Sequence, residues 1–156
     1  MDILAIIPAR GGSKGIIGKN IRQFAGKPLL AHTIEHAQKS KYISRIIVST
    51  ESRLIADVAK KYKAEVPFLR PKNLAGDRSL VVDAIIYLLK KLEANEGYKP
   101  DILVLLQPTS PLRMPADIDA VINLLLRRKS DAALTVCRTE PLVFTKDKNG
   151  RLHLES

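Results

Sequence analysis

Short apolar runs alternate along this chain with stretches in which apolar residues recur every three or four positions, and this alternation constrains the fold most. The runs predict five strands, at residues 3–7, 46–48, 65–69, 102–106 and 132–136. The stretches between them have helical spacing and predict four helices, the first after Pro28 and the fourth from Pro115. Such alternation is typical of a mostly parallel sheet with helices on both faces. We therefore expect a three-layer α/β fold.

Two of the runs also predict positions within the sheet. Residues 102–106 form the most strongly apolar run, so we expect this strand to be central. The run at 65–69 contains Pro67, which has no N–H to donate to a ladder, so we expect this strand near an edge. Towards the C-terminus, Asn149-Gly150 predicts a hairpin turn.

The charge of the chain is strongly positive, with much of the excess near the first strand. Lys and Arg outnumber Asp and Glu by 26 to 16, a net charge of +10, and residues 1–50 hold eight cations and two acids. Aromatic residues are few and no nucleic-acid motif is present, so we expect a phosphate-rich small ligand; a basic nucleic-acid binder is the weaker alternative. The single cysteine, Cys137, excludes an internal disulfide. With no leader-like or membrane-length run, we expect a cytoplasmic chain without a membrane partner.

The loop after the first strand carries the clearest ligand signal. Residues 7–20 contain four glycines and three cations, Arg10, Lys14 and Lys19. Glycine lets backbone N–H groups approach an anion and the cations add positive charge, so the loop suits a polyphosphate. Ser13 and Asn20 exclude a Walker A loop, and the absence of Gly-x-Gly excludes a dinucleotide fingerprint. A flexible surface loop is the alternative interpretation.

Three further loops follow predicted strands, at 49–52, 70–79 and 107–114. Ligands of open α/β sheets bind beyond the carboxyl ends of the strands, so we expect these loops to converge on one site. Arg70 and Arg78 can clamp phosphate or carboxylate. Ser79 or Asp77 can cap the third helix, and both roles are compatible, because a helix N-terminus also favours anions.

Gln107 lies in a loop that two prolines stiffen, Pro108 and Pro111. A side-chain amide held in this way can pair with the edge of a base or a sugar. The alternative is an ordinary strand-to-helix turn.

The segment from His32 to His36 matches a His-x-x-Glu-His zinc pattern, which we reject. The apolar stripe of this predicted helix centres on Ile34, so both histidines face away from the sheet. No third ligand is apparent.

Taken together, these segments resemble the acylneuraminate cytidylyltransferases, also called CMP-sialic acid synthetases. They occur in the family's order and cover nearly the whole chain. The most specific is Arg10-Gly11-Gly12-Ser13-Lys14-Gly15, followed by Lys19-Asn20. The others are Gly26-Lys27-Pro28-Leu29, Val48-Ser49-Thr50, Arg70-Pro71 and Gln107-Pro108-Thr109-Ser110-Pro111-Leu112-Arg113.

The resemblance implies a Rossmann-like nucleotidyltransferase fold and transfer of CMP from CTP to an acidic nine-carbon sugar, with Mg²⁺ assisting the departure of pyrophosphate. By resemblance, Arg10 and the amides of Gly11 and Gly12 hold the phosphates. Lys14 and Lys19 would stabilise the leaving pyrophosphate, so the expected catalytic residues are Arg10, Lys14 and Lys19. The same resemblance places four more side chains against the nucleotide: Asn20, Arg70, Ser79 and Gln107.

The chain is shorter than the members of this family. Residues 1–156 correspond to one nucleotide-binding cytidylyltransferase domain, which we expect to be incomplete at its C-terminus. The absent part carries the family's paired metal-binding aspartates and much of its dimer interface. The Mg²⁺ ligands are therefore unassigned, and a homodimer is expected for the full-length protein. The alternatives are a non-catalytic nucleotide-binding module and a synthetase for legionaminate or pseudaminate.

Overall fold

A computed structural model describes residues 1–13, 15–136, 144–149 and 151–154. Lys14, Cys137 and Gly150 lie outside the described residues. The elements in chain order are β1 (Ile3–Pro8), β2 (Gln23–Phe24), β3 (Lys27–Pro28), α1 (Leu29–Gln38), β4 (Arg45–Ser49), α2 (Arg53–Lys61), α3 (Val81–Glu96), β5 (Ile102–Leu105), α4 (Pro115–Arg128), β6 (Phe144–Lys146) and β7 (Leu152–Leu154). Short 3₁₀ turns occur at Lys19–Ile21 and Lys72–Leu74.

The main sheet of the described chain has three parallel strands in the order β4-β1-β5. Ile6 of β1 is aligned with Ile47 of β4 on one side and Leu105 of β5 on the other. Residues 3–7 of β1 are at most 1% exposed, because this strand is covered on both faces. The predicted α/β class with a parallel sheet is thus confirmed.

Helices cover this sheet on both sides. The odd-numbered side chains of β1 pack in one cluster with apolar residues of α1, α2 and α4. Leu4 and Ile6 point to the opposite face, as successive strand residues must, and pack against Leu88 and Leu92 of α3. The predicted three-layer arrangement is therefore confirmed, and it leaves the carboxyl end of the sheet to the loops.

The prediction of a central strand at 102–106 is wrong for the described sheet, in which β1 is central and β5 is an outer strand. Leu103 and Leu105 of β5 are 37% and 42% exposed. Apolar composition indicates a tendency to be buried but does not specify how many strands lie alongside. Among the described residues, β5 forms its ladder with β1.

The predicted strand at 65–69 is also wrong, because only Glu65 makes a β-bridge, with Ile47. The expected place near an edge is confirmed, since this bridge lies against β4, an outer strand of the described sheet. Glu65 donates to the carbonyl of Ile46 and accepts from the N–H of Val48, each at 2.9 Å. Pro67 follows with no N–H to extend the ladder. The segment runs on without further strand structure until Arg70 donates its N–H to the carbonyl of Thr50 at 2.8 Å. It is therefore tied to the β4 strand and the loop after it at both ends.

Near the C-terminus, one prediction fails and one is confirmed. Residues 132–136 form no strand, and Leu134 and Val136 are 74% and 85% exposed; no described strand pairs with this run. The predicted hairpin is present as β6 and β7, which pair antiparallel with Thr145 opposite His153, while Gly150 of the predicted turn lies outside the described residues.

Candidate nucleotide site

The loops at the carboxyl end of the sheet enclose one cavity of about 600 Å³. It is lined by the Gly-rich loop, the 70–81 segment and the start of the loop after β5. Six of the predicted site residues line it: Arg10, Lys19, Asn20, Arg70, Ser79 and Gln107. Gly11 and Gly12 are not among the lining residues, and Lys14 lies outside the described part of the chain. Three of the four loops expected to converge therefore line this cavity, and the 49–52 loop is not among the lining residues.

The Gly-rich loop is shaped from inside by Asn20. This side chain is 5% exposed, and its Nδ2 donates to the carbonyl of Arg10 at 2.9 Å. Gly18, just before the 3₁₀ turn, has a φ of 63°, a left-handed conformation that glycine adopts without strain. Asn20 therefore holds the loop, and the nucleotide contact expected of it stays a prediction.

Arg10 crosses the mouth of the cavity to the 76–77 turn. Its Nη1 donates to the carbonyl of Gly76 at 3.1 Å and to Oδ1 of Asp77 at 3.2 Å. The two charged side chains are 38% and 46% exposed. The guanidinium expected to hold phosphate is thus paired with a carboxylate that also lines the cavity, and a triphosphate would compete with that carboxylate for it.

Arg70 is the most buried charged residue of the site, with a relative exposure of 7%. Its Nη2 donates to Oε2 of Glu51 at 3.1 Å. Its buried Nε has no hydrogen-bond partner among the described residues. Because buried donors are normally satisfied, an unpaired guanidinium N–H at this cavity suits an anionic ligand.

Glu51 is the site residue that the sequence reasoning missed. It directly follows Thr50 at the end of β4, and its Oε1 accepts the N–H of Gly11 at 2.6 Å while Oε2 holds Arg70. The amide of Gly11, expected to meet phosphate, is therefore already donated to a carboxylate. The available signal was an acid in one of the four loops expected to converge.

Ser79 and Arg78 lie next to each other in the 70–79 loop, but only Ser79 lines the cavity. Ser79 donates its hydroxyl to the carbonyl of Asn73 at 2.8 Å, and α3 begins after Leu80 without a side-chain cap. The helix-capping alternative for Ser79 or Asp77 is therefore wrong. Arg78, the other proposed clamp, is exposed and does not line the cavity.

The loop that carries Gln107 is held by Arg113. The Nη2 of Arg113 donates to the carbonyl of Gln107 at 3.3 Å. Burial lowers the pKa of Arg113, and nearby Asp117 partly opposes that shift. The Gln107 side chain is exposed at the cavity, where an amide can reach a ligand.

The two histidines of the rejected zinc pattern lie on α1. His32 Nε2 is 2.8 Å from the carbonyl oxygen of Phe24, and the rings of His32 and His36 are 6.5 Å apart between centroids. Across the described ranges, no group of three or more His, Cys, Asp or Glu side chains could hold a metal ion.

A parallel α/β sheet whose loops gather cations around a cavity at the carboxyl ends of its strands has the architecture of a nucleotide-binding fold. The profile of the family described as Cytidylyltransferase matches residues 4–152. The chain therefore belongs to the cytidylyltransferase family, which confirms the resemblance drawn from its motifs.

Curated relatives carry the names of CMP-sugar synthetases. The chain is 50% identical over 124 residues to "CMP-N,N'-diacetyllegionaminic acid synthase" of Legionella pneumophila, covering 80% of this chain and 53% of the relative. It is 40% identical over 122 residues to "N-acylneuraminate cytidylyltransferase" of Escherichia coli, covering 78% of this chain and 28% of the relative. The chain thus spans about half, or less, of the length of these relatives.

A solved structure supports the fold. The CMP:2-keto-3-deoxy-manno-octonic acid synthetase complexed with CTP superposes with a TM-score of 0.70 at 20% identity, covering 83% of this chain and 49% of that chain. This likeness confirms the Rossmann-like nucleotidyltransferase fold. No helix within the described residues is both long enough and apolar enough to span a membrane.

Proposed function

We propose that this chain binds CTP in the cavity and forms the nucleotide-binding part of an enzyme that transfers CMP to an acidic nine-carbon sugar, releasing pyrophosphate. The observation that carries the proposal is the gathering of three cations, Arg10, Lys19 and Arg70, around one cavity of about 600 Å³ at the carboxyl end of the sheet. A triphosphate presents several anionic oxygens, which such cations bind through charge-assisted hydrogen bonds. The names of the relatives support cytidine as the base.

The proposed reaction depends more on compensating the negative charge of the triphosphate than on covalent catalysis. The anomeric oxygen of the sugar would attack the α-phosphorus, and the bond from that phosphorus to the bridging oxygen of pyrophosphate would break. Lys19, together with Lys14 by resemblance, would stabilise the negative charge that gathers on the leaving group. Arg10 would exchange its bonds to the 76–77 turn for bonds to phosphate.

The proposal includes Mg²⁺ as an ion that binds the phosphates of CTP. The donor set of the described residues does not form a metal cage, and the nearest carboxylates, Glu51 and Asp77, already hold Arg70 and Arg10. When present, the ion would neutralise phosphate charge. Homodimerisation and a cytoplasmic location stay predictions.

For the acceptor we propose the class of nonulosonic acids. A sialic acid is the first expectation from the motifs, whereas the relative at 50% identity is named for a legionaminic acid. Pseudaminate completes the set to be compared. The members of this proposed class share a carboxylate, nine carbons and a reactive anomeric hydroxyl.

Titration calorimetry with CTP, UTP, ATP and GTP tests the nucleotide site. We expect CTP to bind best and Lys19→Gln to weaken it about tenfold, as for loss of a charge-assisted hydrogen bond. Lys61→Gln makes the same change of charge at the exposed end of α2 and should leave affinity unchanged. Equal loss in both variants, or no preference for CTP, would contradict the proposal.

Pyrophosphate release with each sugar separates the enzyme from a non-catalytic module. CTP binding without release by the full-length gene product would favour the module. A salt-dependent shift of oligonucleotides, without CTP binding, would favour the nucleic-acid alternative.

A further inference from the structure

Glu51 connects two parts of the candidate site that are far apart in sequence. One carboxylate oxygen accepts from the backbone of Gly11, 40 residues earlier, and the other from the side chain of Arg70, 19 residues later. The side chain of Glu51 is 15% exposed and that of Arg70 is 6% exposed. A single carboxylate therefore fixes the Gly-rich loop and the buried cation of the cavity relative to each other.

The loop is built to let this carboxylate approach. A Cβ added at Gly11 would lie 3.3 Å from Oε1 of Glu51 and 3.3 Å from Cβ of Ser52, tighter than most real contacts. A side chain at this position would therefore press on Glu51 and Ser52, which favours glycine here. At Gly12, by contrast, an added Cβ meets nothing within 4 Å.

Glu51 acts from behind the cavity. It is not among the lining residues, whereas Arg70 is. A carboxylate facing the phosphates would repel them, but here Oε2 of Glu51 is paired with the guanidinium of Arg70 at 3.1 Å. The Nε of Arg70 is buried and has no hydrogen-bond partner among the described residues, so the pair with Glu51 does not use all of its donors.

We propose that Glu51 is a positioning residue for the part of the site where we expect the phosphates, the Gly-rich loop and Arg70. It holds the Gly11 amide and the Arg70 guanidinium in place. This inference rests on the proposed function. A positioning role predicts that loss of Glu51 weakens binding of the phosphates more than binding of the nucleoside. An ordinary structural ion pair would contribute stability without affecting one part of the ligand more than another.

The test compares CTP with cytidine, which lacks phosphates, in wild type, Glu51→Gln and Glu51→Ala. Glu51→Gln keeps an oxygen that can accept from Gly11 but loses the charge that holds Arg70. We expect CTP affinity to fall about 10- to 100-fold in Glu51→Ala and less in Glu51→Gln, the range for charge-assisted hydrogen bonds, with cytidine affinity unchanged. Equal losses for CTP and cytidine, or no loss, would overturn the proposal.

Hydrogen exchange of the Gly11 amide gives a readout that needs no nucleotide. Exchange should accelerate in Glu51→Ala, because its acceptor is gone. The matched control is Glu65→Gln, which removes a glutamate paired with Arg45 away from the cavity and should leave Gly11 unchanged.

CTP affinity and Gly11 hydrogen exchange together distinguish a failure of the proposed function from a failure of the role of Glu51. Wild-type protein that binds no CTP would refute the proposed function, and the Gly11 exchange would still decide whether Glu51 holds the loop. Unchanged exchange in Glu51→Ala would refute the role of Glu51 whatever CTP does.

Discussion

The pairing of Arg10 with Asp77 makes a prediction about nucleotide affinity. Asp77→Asn keeps the size of the side chain and an oxygen that can accept from Arg10, but removes the negative charge at the mouth of the cavity. The phosphates would then meet a guanidinium whose competing carboxylate is gone. We expect the affinity for CTP to rise.

The magnitude follows from the exposure of the pair. The two atoms are 3.2 Å apart, but the side chains are 38% and 46% exposed, so solvent screens much of the attraction. Pairs of this kind contribute about 0.2–1 kcal/mol, which corresponds to an affinity gain of about 1.5- to 5-fold. Added salt should shrink the gain, because the screening length falls to about 10 Å at 0.1 M.

Calorimetry with CTP at two salt concentrations measures this effect. The control is Asp57→Asn on the exposed face of α2, which changes the net charge equally but lies outside the cavity. An equal gain in both variants would assign the effect to overall charge. A loss of affinity in Asp77→Asn would show that Asp77 orients Arg10 for the ligand, and would refute the argument from competition.

Two further predictions concern stability. Arg70→Gln leaves the Glu51 carboxylate without its cation at 15% exposure, so the free energy of unfolding in urea should fall by about 3 kcal/mol. Adding Glu51→Gln to Arg70→Gln should recover part of this loss, because the unpaired charge is then removed. Additive losses in the double variant would contradict the pairing. Burial, followed by the charges of His32, Lys27 and Arg113, lowers the pKa of His36 from its ordinary 6.5. The unfolded chain therefore binds a proton that the folded chain rejects, and stability should decrease as the pH falls from above 6.5 towards the folded pKa. His36→Gln should flatten that decrease, and an unchanged slope would refute the assignment.

The sequence was sufficient for the features that depend on local pattern. The apolar run at 3–7, the helical spacing around Ile34 and the hairpin at the C-terminus all appear as predicted. The gathering of Arg10, Arg70 and Gln107 also followed from pattern, because loops after parallel strands share one edge.

Features that depend on neighbours could not be predicted in this way. The apolar run of β5 does not reveal that it lies at the outside of the described sheet, since composition is the same for a strand with one neighbour or two. Glu51 had no motif of its own, and its role depends on a distance to Gly11 that only the folded chain defines. The partner of Arg10 likewise comes from a turn 66 residues away.

The hydrogen bonds that attach the 65–70 segment to β4 and to the loop after it also limit how the length of this segment can vary in evolution. Glu65 is bonded to Ile46 and Val48, and Arg70 to Thr50, so the number of residues between the two attachments determines where the Arg70 guanidinium lies. An extended residue advances the chain by about 3.3 Å, more than the length of the hydrogen bond to Glu51. Length variation among homologues should therefore be rare between positions 65 and 70, although the segment is irregular and largely at the surface. Insertions should be found in loops that contribute no charged group to the cavity.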